Sequence, residues 1–232
     1  MFKRALETVI SEDLAELWSI LDNNEKRLIT DNFEIHHFKK NQIIYAEDEQ
    51  PEYLWCLLDG KVKLYKDGIG GRSQILRLLR PVQYFGYRAY FAQEPYVSST
   101  AAFEASVVGS LPMRLVSEMI QNNIKIAWFF IKELSRNLGG SDTRIVNLTQ
   151  KHIRGRLADA LIALKDNYGY EEDDSTLRIY MSREDLANLS NMTTSNAIRT
   201  LSGFVNEKII VVDGRKIKII NEPMLRKISN FG

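Results

Sequence analysis

Residues 181–220 admit very few folds. They read MSREDLANLSNMTTSNAIRTLSGFVNEKIIVVDGRKIKII: two short segments with helical apolar spacing, a polar turn between them, and two β-rich runs separated by Asp213-Gly214. The first segment carries Leu186 and Leu189, and the second Ala197, Ile198, Leu201 and Phe204. Ser182, with Asp185 three residues on and then Leu186, has the form of a capped helix start. Thr193 or Thr194 can cap the second helix. Asn191 tolerates the left-handed backbone of a tight turn, and Asp-Gly between strand-like runs is a strong short hairpin signal. Helix, turn, helix and hairpin in that order make a winged helix-turn-helix.

The polar side chains of this unit suit DNA. Thr194, Ser195, Asn196 and Arg199 on the second helix are hydrogen-bonding groups for base edges in a major groove, with Arg199 able to bind guanine through two contacts. Thr193 stands at the start of that helix. Ser182 and Arg183, with the backbone N–H groups opening the first helix, suit a phosphate. Arg215 and Lys216 at the hairpin tip suit another. The same pattern also fits a helical hairpin with solvated polar residues that docks a protein, so both readings stand at this point. From Met181 onward there are eight Lys/Arg against five Asp/Glu, a local excess of three, whereas the whole chain carries only +1.

A second regularity lies upstream. Ile124, Ala127, Ile131, Leu134, Leu138, Ser141, Ile145 and Leu148 follow alternating steps of three and four. That is a heptad seam, expected to pair with a second copy in a parallel dimer; a single core helix with a wide apolar stripe is the alternative. Trp128, Phe129 and Phe130 lie off the seam and are expected to face the chain's own core. Gly139-Gly140 falls inside the seam, as a break between two helices or a soft joint beside Ser141.

Between Phe33 and Pro112 the apolar period changes to two. Short runs such as Tyr53–Leu58 and Ile75–Leu79, with glycine turns at Asp59-Gly60 and 67–71, argue a small antiparallel barrel or roll able to enclose one small ligand. Residues 1–31 are expected to be helical, with Ser11 as a cap, Leu14, Leu17, Trp18 and Leu21 at helical spacing, Asn23-Asn24 ending that helix and Glu25–Ile29 adding another turn or two. Residues 151–168 are a further helix stopped by Gly169, Leu177–Tyr180 a strand, and Asn221–Ser229 a terminal helix. The fold class is therefore α+β: an N-terminal antiparallel β-roll with helices (1–122), a long dimerisation helix (123–150), and a C-terminal winged helix-turn-helix (151–232).

Composition excludes several functions. The single cysteine, Cys56, permits no disulfide within the chain and no four-cysteine iron–sulfur cluster. No apolar run approaches the ~18 residues of a membrane span. A reducing, cytoplasmic setting is expected. Three histidines without metal-ligand spacing, no nucleophile paired with a base and no phosphate loop argue against an enzyme, so no catalytic or metal residue is expected. His36-His37 reads as a solvated pair rather than a haem site, and Cys56 as a small core residue.

In this order the elements resemble the Crp–Fnr family of bacterial transcription regulators along essentially the whole chain. The most specific stretches are SREDLANLSNMTTSNAIRTL, IRGRLADALIAL, and the roll segments NQIIYAEDE, LDGKVKLY and YFGYRAYFAQEP. The resemblance implies a homodimer whose roll senses a small molecule and whose recognition helices fit a palindromic operator on double-stranded DNA, with RNA polymerase as a further partner. The cyclic-nucleotide branch of the family carries Gly-Glu-Leu and, some ten residues on, Arg-Ser. Here Tyr87 stands at the carboxylate position and Val97 at the arginine position. Losing that arginine removes a charge-assisted contact of roughly 1.5–3 kcal/mol, so cyclic AMP is not expected as the effector. Arg88, Ser98, Ser99 and Ser141 remain, with Tyr87, as candidate effector-binding residues; Asp142 follows Ser141 where the family has a small hydroxyl residue. The recognition helix departs as well, with Ser195 in place of the glutamate many members carry.

Overall fold

The computed structural model describes residues 15–68 and 70–231; the expected Ser11 cap and Leu14 lie outside them. By its contacts the chain forms two compact units. One holds residues up to Lys66 and Leu76–Gly139, the other Asp67–Ile75 and Gly140 onward.

The first unit opens with α1 (Ala15–Trp18) and α2 (Asn23–Asn32). The Asn23-Asn24 pair, expected as a helix end, instead opens α2. Asp22 accepts from the backbone N–H of Asn24 and Glu25, and Glu25 returns a bond to the Asp22 N–H, a complete capping box. Eight strands follow: β1 (Glu34–Phe38), β2 (Ile43–Tyr45), β3 (Tyr53–Asp59), β4 (Val62–Asp67), β5 (Ser73–Leu79), β6 (Tyr84–Phe85), β7 (Ser99–Ala102) and β8 (Ser106–Pro112). They form two four-stranded sheets, ordered β1-β8-β3-β6 and β2-β7-β4-β5. Strand β3 shows why the sequence period is two. Leu54, Cys56 and Leu58 enter one core beside the helices, while Trp55 and Leu57 enter a second core inside the roll.

A short helix, α3 (Tyr87–Ala92), lies within the stretch read from sequence as β. Gly86 at φ +86° makes its entry, and a side chain there would strike Trp55 and the Tyr53 carbonyl. Gly109, in the middle of β8, has a different role: a Cβ at this position would lie 1.9 Å from the ring of buried Phe33. Gly109→Ala is expected to destabilise the first unit by ~1–3 kcal/mol through overpacking. Urea unfolding monitored by circular dichroism checks this; an unchanged midpoint would contradict it.

Helix α4 (Met113–Asn122) leads to α5 (Ile124–Gln150), one helix of 27 residues. It runs unbroken through Gly139-Gly140, so of the two readings of that pair the break between helices does not occur. Phe129 and Phe130 are buried in the core with Ile126, as their off-seam position suggests. Trp128 is 57% exposed and does not join them. Trp128 falls one residue before Phe129, about 100° round the helix, which carries it off the buried face.

In the second unit, α6 (Ile153–Tyr168) ends at Gly169 with φ +71°. Of residues 177–180, expected as a strand, only Leu177 makes an isolated bridge, and Thr176 just before it makes another. Tyr170 meets Leu177, and Thr176 meets Lys218. Helices α7 (Arg183–Leu189) and α8 (Thr194–Asn206) precede the hairpin of β9 (Ile210–Asp213) and β10 (Lys216–Ile219), and α9 (Glu222–Phe231) closes the chain. Leu157, Leu161, Leu186, Leu201, Phe204, Ile210, Ile217 and Leu225 are all buried in this unit. No helix of the described residues is long and apolar enough to cross a membrane.

Candidate nucleic-acid interface and sensing roll

The winged unit is built from its caps outward. Ser182 Oγ accepts from the Asp185 N–H at 3.0 Å and donates to the Asp185 carboxylate at 2.6 Å, which fixes the start of α7. Asn191 takes φ +51° in the turn. Of the two threonines offered by the sequence, Thr193 caps α8, its hydroxyl accepting from the Asn196 N–H at 3.2 Å. Ala197, Leu201 and Phe204 then bury one face of α8, leaving Thr194, Ser195, Ile198 and Arg199 exposed on the other. Asn196 is half-buried, and its side-chain oxygen accepts from the Arg199 guanidinium, which steadies both groups at the exposed face.

Arg183 differs from its sequence reading. Its guanidinium donates to the Gly214 carbonyl at 2.8 Å, tying the start of α7 to the wing turn; one of its terminal nitrogens is buried without a partner. Its charge is thereby anchored at the wing instead of standing free. Arg215 is exposed beside it, and Lys216 lies over the Tyr180 ring, 5.7 Å from its centre.

Sequence reasoning missed a set of bonds behind the turn. Arg144 donates to the carbonyls of Ile75 (2.6 Å) and Leu189 (3.0 Å). Burial depresses its pKa from the usual arginine value. Gln74 donates to the Asn188 carbonyl at 2.6 Å, and Arg72 to the Asn191 side chain at 3.2 Å. The turn before α8 is therefore held by residues 72–75 as well as by its own caps. No sequence signal marks long-range bonds to backbone carbonyls, because their acceptors carry no residue identity.

The effector candidates of the roll are scattered in role. Tyr87 is buried and its hydroxyl accepts from the Asn137 amide at 3.0 Å. Burial pushes that phenol up to about 12. Arg88 pairs with Glu94 at 2.7 Å, a half-exposed ion pair worth little by itself. Val97 is 45% exposed, Ser98 is buried, and Ser99 Oγ accepts from the Glu47 N–H at 2.9 Å. Lys66 donates to the Val97 carbonyl at 2.9 Å and also bonds Glu47, so the stretch is tied down by side chains the sequence reading did not name. Ser141, on the second unit's part of α5, is exposed. His36, read as half of a solvated pair, is anchored on Ser110 at 2.8 Å with its ring 5.6 Å from Trp55; only His37 is exposed. Cys56 is buried in the core. Among the described residues no group of three or more His, Cys, Asp or Glu could hold a metal ion.

Roll and winged domain together define a regulator with a ligand-binding-type module and a DNA-binding-type module. Residues 35–123 match the cyclic nucleotide-binding domain family, and residues 155–228 the Crp-like helix-turn-helix domain. The chain belongs to the Crp–Fnr family of transcription regulators. Relatives that match it over most of their length are transcription regulators. The CRP-like cAMP-activated global transcriptional regulator of Mycobacterium tuberculosis is 23% identical over 192 residues, spanning 82% of this chain and 85% of the relative. The anaerobic regulatory protein of Bacillus subtilis is 26% identical over 208 residues, spanning 88% and 82%. The structure of FixK2 from Bradyrhizobium japonicum shares the fold with a TM-score of 0.76 at 22% identity, covering 84% of this chain and 96% of FixK2.

Proposed function

We propose that this regulator is a cytoplasmic homodimer that binds a palindromic operator and responds to an effector other than cyclic AMP. One observation carries the dimer. Ile124, Ile131, Leu138 and Ile145 recur every seven residues along α5 and are 69%, 47%, 65% and 60% exposed. A row of exposed aliphatics at heptad spacing is a seam that lacks its partner helix. Zipping two copies would bury eight such side chains, worth roughly 1.5–3 kcal/mol each before the cost of association. A two-fold dimer then presents two α8 helices, with Thr193, Thr194, Ser195, Asn196 and Arg199 toward base edges and Ser182, Arg183 and Arg215 toward the backbone.

The Mycobacterium relative is cAMP-activated, yet Tyr87 and Val97 here lack the carboxylate and guanidinium expected for that ligand. Recruitment of RNA polymerase belongs to the same proposal. The test is anisotropy of labelled duplex DNA titrated with the protein across a salt series. Binding that weakens steeply as salt rises supports the reading. A dimer that binds no duplex at any salt overturns it and leaves a winged domain that docks a protein.

A further inference from the structure

The second unit holds an open cleft lined by none of the residues assigned above to DNA or to the roll. Its volume is about 360 Å³, and its walls come from the second half of α5, from α6 and from the end of α7. That size lies at the lower end of sites that take small organic molecules. Leu148, Ala160, Ile162, Ala163 and Leu189 make the walls largely apolar. Gly140 also lines the cleft. Its backbone is helical and so does not demand glycine, and a Cβ there would meet nothing within 4 Å. What the glycine leaves is open space.

The charge in the cleft is uneven once partners are counted. Asp159 presents both carboxylate oxygens to Lys151, at 2.8 and 2.7 Å, and one of them also accepts from Ser229. Asp166 is held by Lys165 at 3.1 Å and by Arg226 at 3.3 Å. Both acids that line the cleft are thus balanced by cations that do not line it. Arg144, on the α5 wall, is committed to the carbonyls of Ile75 and Leu189. Arg156, on the α6 wall, differs. One terminal nitrogen donates to the Leu148 carbonyl at 3.1 Å, Nε is buried with no partner, and among the described residues no carboxylate pairs with it. A guanidinium that meets only a neutral carbonyl keeps its charge, and most of its fork of donors, for a carboxylate.

We propose that this cleft binds a small amphipathic carboxylate, with its aliphatic body against Leu148, Ala163 and Leu189 and its head group on Arg156. Apolar walls with one uncommitted cation select for that combination. A body of the same length with a neutral head forfeits the charge-assisted bonds, and a wholly polar ion gains nothing from the walls. The site is independent of the roll and of the duplex-binding face.

The test is calorimetric titration of the full chain, without DNA, by octanoate in one arm and octanol in the other, each up to about 3 mM, in the weak-affinity range. Octanoate is expected to bind saturably at one site per chain, and octanol more weakly. Arg156→Gln should weaken octanoate roughly ten- to a hundredfold and leave octanol unchanged, which also shows that the cleft is intact in that variant. Arg156→Lys should keep most of the octanoate affinity. Ala163→Trp, a change at an exposed position that fills the cleft, should abolish both. No saturable binding of octanoate, binding unaltered by Arg156→Gln, or binding that survives Ala163→Trp would each overturn the proposal. So would equal loss of octanoate and octanol in Arg156→Gln, because the arginine would then hold the shape of the cleft and not a head group.

Discussion

Arg199→Ala is expected to lower operator affinity by ~1–3 kcal/mol in each half-site, and so by roughly thirtyfold to more than ten-thousandfold in a dimer that uses both. Arg199 is exposed on α8 and its guanidinium is steadied by Asn196. A planar fork held in this way matches the two acceptors guanine shows in the major groove, and lysine cannot reproduce it. The loss should therefore be selective: preference at one base pair per half-site relaxes, and Arg199→Lys recovers charge without recovering that preference. Arg215→Ala provides the contrast. It removes a backbone-type charge and should weaken all duplexes alike while flattening the salt dependence by about one unit of slope per contact. Anisotropy on a set of single-base operator variants measures both. An unchanged base preference in Arg199→Ala would show that α8 is not the reading helix.

Leu138→Asp is expected to dissociate the dimer. Leu138 is 65% exposed in the single chain, so its replacement removes no intrachain core and the fold should persist by circular dichroism. In the proposed dimer two leucines leave the seam and two like charges enter it. The lost burial alone is roughly 3–6 kcal/mol, and uncompensated charge adds to it. Sedimentation equilibrium should read monomer at concentrations where the unaltered protein is dimeric, with operator binding reduced to single half-site strength. Lys132→Glu, an exposed change off the seam, should leave the dimer intact. A Leu138→Asp protein that stayed dimeric would place the interface elsewhere.

What could be read from the chain was whatever depends on local rules. Caps, turn residues and apolar spacing act within a few residues, so Ser182, Asn191, Thr193, Asp213-Gly214 and the seam of α5 were legible as local features. Helix α3 was not, because six residues entered through a left-handed glycine have too little periodicity to register. Leu177–Tyr180 has strand-like composition, but only Leu177 finds a bridge partner, at Tyr170, and pairing is decided by tertiary context. The continuity of α5 through Gly139-Gly140 shows the same thing in reverse: a cost of ~1 kcal/mol per glycine is small beside the packing of Ile126, Phe129 and Phe130. In the candidate sites, side-chain type was legible and commitment was not. Arg183 is bonded to Gly214 and Arg88 to Glu94, and nothing in the local sequence marks either commitment.

In the proposed assembly two copies joined along α5 read DNA with paired α8 helices. Selection of bound duplexes from a random pool tests it most directly. Enrichment of a palindrome whose half-sites lie about 10 base pairs, one helical turn, apart is the expected result. Enrichment of a single asymmetric site, or no enrichment at all, would contradict it.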